Sequence, residues 1–149
     1  MAEQTLQESI WWIIPGQLAG MRKPAANELE ALKAEGIGAI VSVMDDPSNL
    51  DLYAAAQIPY RWLPTTGGQA PTQEQIDEFC QFVDAQHQAG IAVAVHCSSG
   101  RRRTATFLGA YLIWQGFSYE EAIAAIAQAN AAVEMRTAQL DFLKAIAER

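Results

Sequence analysis

Cys97 and Arg103 are separated by five residues in the stretch His96-Cys97-Ser98-Ser99-Gly100-Arg101-Arg102-Arg103-Thr104. A loop of that length at a helix N-terminus can turn several backbone N–H groups toward one point, making a nest for the oxygens of a phosphate. Ser98, Ser99, Gly100, Arg101 and Arg102 are the residues that would line it. Arg103 can close the ring with a planar fork that grips two oxygens at once, as a lysine cannot. The phosphorus then sits over Cys97 Sγ. The same donors and the helix dipole favour thiolate over thiol, so a cysteine whose free pKa is about 8.5 becomes substantially ionised near neutrality, and nucleophilic. Gly100 can take a positive φ without steric cost where the chain bends. Thr104 can donate a hydrogen bond to the sulfur when it leaves as thiolate. The competing reading, a buried inert cysteine beside a solvated arginine run, fits poorly with a cysteine placed after an apolar strand and at a helix start. No Gly-Lys-Ser/Thr follows, so this is not a nucleotide-binding Walker loop.

The elements that must position these residues are legible nearby. The apolar run from Ile91 to Val95 reads as a strand, and Thr104 to Tyr111 as a helix. Ser9 to Ile14, a Pro15-Gly16 turn and Gln17 to Met21 read as a hairpin at the sheet edge, with Trp11 and Trp12 as packing residues. Asn27 can cap a helix over Glu28 to Glu35 that stops at Gly36. Ile37 to Met44 is apolar throughout and predicts a strand buried on both faces. Asp45 and Asp46 lie just beyond its carboxyl end, where open parallel sheets place their ligand crevice. The Asp-Asp-Pro-Ser run also suits a turn, which claims at least one of the two.

Leu50 to Gln57 reads as a short helix capped by Ser48 or Asn49, and Ile58 to Leu63 as a further strand. The segment between Pro64 and Pro71 has no periodicity and two adjacent glycines, which predicts a mobile loop. Thr72 with Gln75 makes a capping box for a helix whose Ile76, Phe79, Cys80, Val83 and His87 share a face. Cys80 is therefore packing. His87 suits the dipole at that helix's C-terminal end better than a catalytic role. Gly116 ends the motif helix, Ser118 with Glu121 caps the next, and Thr137 starts a last helix carrying Leu140, Phe142, Leu143 and Ile146. The sum is an α/β fold, a central mixed and mostly parallel sheet flanked by helices. Residues 1–149 form one domain, with residues 1–8 as a flexible N-terminal end.

The motif, its late position and the stretches IIPGQLAGM, GIGAIVSVMDD and QEQIDEFCQFVDA resemble the cysteine-dependent phosphatases of the protein tyrosine and dual-specificity type, in particular small atypical members related to Cdc14. The resemblance implies a protein tyrosine phosphatase-like fold, Cys97 as nucleophile, Arg103 as phosphate clamp, and His96 and Thr104 as residues that tune the thiolate. It implies no metal and no cofactor. It also exposes a departure. In that family an Asp from the loop between the preceding strand and helix protonates the leaving oxygen; the matching position here is at or near Gly67, and no Asp or Glu lies between Arg61 and Gln73. Positioned acid catalysis is worth about 10²- to 10⁴-fold, so its loss slows an enzyme without abolishing it. Three explanations stay open: a carboxyl from elsewhere, Asp45 or Asp46 before Glu74 or Asp77; a substrate with a good leaving group, such as an aryl phosphate or phosphoanhydride; or a site that binds phosphate without turnover. Arg136 and Gln139 match an Arg and a Gln that follow the motif helices in similar phosphatases.

The chain has 149 residues, half of them apolar, and a net charge of −7. An acidic body argues against general nucleic-acid binding, which draws on Lys and Arg contacts to phosphate. Arg101, Arg102 and Arg103 nonetheless make a local positive mouth that attracts a phosphorylated ligand to one spot. An inward Arg101 would favour a substrate with extra negative charge, such as a polyphosphorylated lipid headgroup or an acidic phosphopeptide. Two cysteines and no apolar run near 18 residues lead to the expectation of a cytoplasmic, monomeric protein without a membrane span. The expected partner is a phosphorylated protein or a small phosphorylated substrate. Two other classes remain open: a phosphatase-like module that signals by binding phosphate, and sulfur transfer of the rhodanese type.

Overall fold

The computed structural model describes residues 4–149. Its sheet contains β1 (Trp11–Ile14), β2 (Leu18–Met21), β3 (Ile37–Ser42), β4 (Tyr60–Trp62) and β5 (Ala92–His96) in the spatial order β1-β2-β5-β3-β4. Only the β1–β2 hairpin is antiparallel; β2, β5, β3 and β4 run parallel to their neighbours. The motif strand β5 is thus central, and its five residues are all buried. This is the mixed, mostly parallel sheet expected.

Helices cover both faces. On one lie α1 (Leu6–Ser9), α2 (Leu29–Ala34) and α3 (Leu50–Ala55), packed with Met21, Ile37, Ile40 and Ala94. On the other, α4 (Gln73–Gln88), α5 (Arg102–Trp114), α6 (Tyr119–Ala129) and α7 (Thr137–Ala147) pack on Ala39, Val41, Val93 and Val95. Successive strand residues point to opposite faces, and that alternation separates the two residues at the end of β5. His96 meets Tyr53 of α3, while Cys97 joins Phe107 and Val95 on the α5 side. The capping boxes at Thr72 with Gln75 and at Ser118 with Glu121 form as expected. Among the described residues no helix is long and apolar enough to cross a membrane.

Several expectations need correction. Of the N-terminal end taken as flexible over residues 1–8, residues 1–3 lie outside the described residues, and the rest is ordered. Thr5 caps α1 with a reciprocal Glu8 bond, and Leu6 is fully buried against the second core cluster. That polar stretch hides one anchoring leucine. Asn27 caps nothing; it lies inside a 3-10 turn, Ala26–Glu28, that leads into α2. Asn49 precedes α3 in the left-handed region at φ 73° with no side-chain cap bond. Its amide donates instead to the Pro24 carbonyl and the Tyr53 hydroxyl. The loop expected to be mobile, between Pro64 and Pro71, is tethered: Thr65 N–H donates to Val43 O, Gln75 to Pro64 O, and the buried Gln139 to Gln69 O.

Candidate active site

The chain leaves β5 at His96, turns through residues 97–101 and enters α5 at Arg102. Gly100 makes that turn possible. Its φ is +78°, and a Cβ there would come within 2.3 Å of the Met21 carbonyl, so any side chain would push the loop off β2. Seated this way, the loop forms one wall of a cavity of about 460 Å³ lined by Cys97, Ser99, Arg101, Arg102 and Arg103. Gly67 and Gly68 line it from the 64–71 loop, Ala132 and Glu134 from the α6–α7 connection.

Cys97 is only 2% exposed, and Thr104 Oγ1 donates to its Sγ at 3.1 Å. Burial pushes the thiol up. Hydrogen bonds from the Thr104 hydroxyl, the Thr104 and Gly100 amides and the nearby Arg103 charge outweigh it, and the thiol lies below its ordinary value. Thr104 is itself fully buried, held at the first turn of α5. The arrangement expected for a stabilised thiolate is present.

Arg103 is positioned from several sides. Its Nη1 donates to the Thr65 carbonyl at 2.9 Å and lies 3.8 Å from Asp45 Oδ1, while Nη2 donates to Ser98 Oγ at 3.4 Å. A guanidinium held on its outer edge keeps its remaining N–H groups free to converge with the loop amides on one anion. Arg101 and Arg102 are exposed at the cavity wall, and Arg102 Nε donates to the Glu134 carbonyl at 2.9 Å, clipping the α6–α7 connection to the start of α5.

His96 lies close in sequence but turned away. It is fully buried, its Nε2 pairs with the Tyr53 hydroxyl at 2.8 Å and its Nδ1 with the Cys97 carbonyl at 3.4 Å. Burial pushes it down to about 4, so the ring is neutral at pH 7. It braces the backbone that carries Cys97 and supplies no positive charge to the sulfur. Neither aspartate is among the residues that line the cavity; Asp45 comes within 3.8 Å of Arg103 behind it. Asp46 Oδ1 accepts from Ser48 N–H, the turn that its Pro-Ser sequence suits, and the Ser48 hydrogen bonds hold its carboxyl below the usual range. Glu74 and Asp77 also lie away from the cavity lining. Among the described residues no three His, Cys, Asp or Glu side chains converge where a metal ion would sit.

Sequence reading passed over three residues here. Glu134 is the carboxylate-bearing residue of the cavity lining, brought there by the connection between two helices. Gln139, matched to a family counterpart without a structural role, is wholly buried; it accepts from Arg136 N–H and donates to Gln69 O, joining the acid-free loop to the start of α7. Trp11, read as packing, donates its indole N–H to Gly100 O at 2.8 Å. The pairing of Arg136 with Gln139 was the one sequence signal pointing to this side of the cavity.

A protein-family model described as "Polymorphic toxin system, DSP-PTPase phosphatase" matches residues 16–117. Over 75 residues, 50% of this chain, the sequence is 41% identical to human phosphatidylglycerophosphatase and protein-tyrosine phosphatase 1, of which the match covers 37%. Over 106 residues, 68% of this chain, it is 29% identical to tyrosine-protein phosphatase cdcA of Emericella nidulans, of which the match covers 17%. The chain thus spans well under two-thirds of the length of these curated relatives. Among solved structures, the active form of Tk-PTP superposes with a TM-score of 0.86 at 28% identity, covering 95% of this chain and 97% of the other. PTPMT1 in complex with PI(5)P superposes with a TM-score of 0.85 at 26% identity, covering 94% and 95%.

Proposed function

The chain belongs to the family of cysteine-dependent, dual-specificity-type phosphatases whose model it matches over residues 16–117, and from that premise we propose that it hydrolyses phosphomonoesters through a cysteinyl-phosphate on Cys97. The observation that carries this reading is the Thr104 Oγ1 to Cys97 Sγ hydrogen bond at 3.1 Å, in a loop whose arginine is braced from outside. Cys97 thiolate attacks phosphorus; the S–P bond forms as the P–O bond to the leaving group breaks, and the leaving oxygen takes a proton. Water then attacks phosphorus and gives its proton to the group that protonated the leaving oxygen, the S–P bond breaks, and the Thr104 hydroxyl donates to the returning thiolate. Arg103 and the loop amides hold the three peripheral oxygens, over which charge is spread as the phosphoryl group passes between oxygen and sulfur.

The first candidate to protonate the leaving oxygen is Glu134, the residue of the cavity lining that carries a carboxyl, whose backbone carbonyl is held there by Arg102 Nε. Asp45 is the second candidate, on its approach to Arg103. Arg101 and Arg102 beside the cavity favour a substrate with a second anionic group near the scissile phosphate. PTPMT1 solved with PI(5)P shows a related protein holding such a ligand, and phosphoinositides join phosphotyrosine peptides as the substrates to test.

Phosphate release from an aryl phosphate, a phosphotyrosine peptide and a phosphoinositide should fall at least about 10³-fold in Cys97→Ser, while orthovanadate or phosphate still binds. Undiminished hydrolysis by that variant defeats the assignment. For the acid, Glu134→Gln should lower turnover of an alkyl phosphate about 10²-fold, erase the alkaline limb of its pH profile, and affect an aryl phosphate much less. Asp45→Asn should produce the smaller loss. If neither moves the profile, no residue fills that role, and the site acts on good leaving groups or as a phosphate-binding module.

A further inference from the structure

We propose that Trp11 is a positioning residue for the phosphate loop: its indole N–H holds the Gly100 carbonyl against the hairpin and thereby turns the Arg101 amide into the anion site. The inference rests on the phosphatase reading of that loop and extends it to a residue that touches no substrate. A trans peptide is planar, with its C=O and N–H pointing in opposite directions. The Gly100 carbonyl accepts the Trp11 indole N–H at 2.8 Å, so the N–H of the same peptide, which belongs to Arg101, is directed away from the indole, and Arg101 is one of the residues that line the cavity over Cys97. A second clamp acts two residues earlier. Lys23 N–H donates to the Ser98 carbonyl at 3.3 Å, which directs the Ser99 amide in the same way.

The surroundings of Trp11 fit this role more closely than they fit packing alone. Its cross-strand partner in the hairpin is Gly20. A Cβ at Gly20 would lie 2.6 Å from indole Cε2 and Nε1 and 2.8 Å from the Thr104 methyl carbon. A glycine in a strand weakens it and often marks a close approach; here its open side admits the indole between β2 and the first turn of α5. The ring is 6% exposed, so its N–H requires an acceptor, and the acceptor lies on the catalytic loop, 89 residues away in sequence. On the loop's other side, Gly100 has no room for a side chain against Met21. Indole, glycine slot and glycine turn together fix one peptide plane.

The test is Trp11→Phe, which keeps an aromatic ring near Gly20 and removes the donor together with part of the indole's volume. Orthovanadate affinity and kcat/KM for an aryl phosphate should fall together, each roughly tenfold, as expected when one buried hydrogen bond to a functional peptide is lost. The pH midpoint for iodoacetate alkylation of Cys97 should rise as well, because a loop released at the Gly100 carbonyl also loosens the adjoining Gly100 amide that donates to the sulfur. A lower melting temperature with vanadate affinity and alkylation profile unchanged would show a structural residue only and overturn the proposal. If Trp11→Phe does not fold, hydrogen exchange at the Trp11 indole of the wild-type protein serves instead. Orthovanadate should slow it at least about tenfold by locking the loop to its clamp, and indifference to vanadate would reject the clamp. Wild-type protein that fails to bind vanadate at all would bring down the phosphatase reading itself, and this proposal with it. Wild-type binding matched by Trp11→Phe would bring down only the proposal.

Discussion

Cys80 and Cys97 lie in the same hydrophobic cluster, 0% and 2% exposed, yet their thiols move in opposite directions. Burial, with Asp84 and Asp77 acting the same way, pushes Cys80 up to about 12. Burial pushes Cys97 up too, but Thr104, two amides and Arg103 reverse the effect. The middle of α4 offers a buried sulfur no donors, because every amide there is committed to the helix. A strand-to-helix turn leaves amides uncommitted and aims them at one point. Reactivity here follows from where free N–H groups are, and depth below the surface decides little.

The most damaging way to break this contrast is to change Arg103, whose charge helps draw the Cys97 thiol down. Arg103→Lys keeps a cation but loses the fork, the bond to Thr65 O and the approach to Asp45. Turnover should drop about 10²- to 10³-fold, the scale seen when one donor to a developing oxyanion is removed. Vanadate affinity should fall with it. A lysine variant within threefold of wild type would mean that point charge suffices, and that the bracing of the guanidinium has no functional value.

Thr104→Val removes one hydroxyl and sharpens the same comparison, since it takes from Cys97 a donor that Cys80 never had. The folded thiol lies below its ordinary value. Losing the donor moves it up, so the thiolate fraction at pH 7 falls, and the deficit narrows as alkaline pH ionises the thiol in both proteins. Iodoacetate alkylation of Cys97 should slow roughly tenfold at pH 7 and approach the wild-type rate above pH 10, consistent with a hydrogen bond to a charged group. A deficit independent of pH would place the effect on packing and not on the thiolate.

Much of this was readable before any coordinates. The strands and most helices follow from apolar periodicity and capping pairs, as at Thr72 with Gln75 and Ser118 with Glu121. The loop was readable because its chemistry is local: Cys97, Gly100, Arg103 and Thr104 lie within one turn and one helix start. Contacts between distant segments leave no period. Trp11 bonds to Gly100 across 89 positions, Gln139 to Gln69 across 70, and Glu134 reaches the cavity only because two helices deliver it. α1 was missed because a single buried leucine in a polar stretch has no pattern to reveal it. His96 shows the same limit. The family resemblance implied a residue that tunes the thiolate, while strand alternation and burial turn its ring toward Tyr53 and hold it neutral.

The smallest effect comes from the other half of the pair. Cys80 packs on α4 among Phe79, Val83 and the residues of α5, with no hydrogen-bond role in the site. Cys80→Ala removes one sulfur atom from a closed core, and the small cavity should cost about 1–2 kcal/mol in denaturant unfolding. Turnover, vanadate affinity and the Cys97 alkylation profile should stay as in wild type. The variant also isolates the reactive thiol: iodoacetate at pH 8 should add one label to native wild-type protein, one to Cys80→Ala and none to Cys97→Ser. A label on native Cys97→Ser would mean that Cys80 is reachable and ionised, and the division between a silenced and an activated sulfur in one core would not hold.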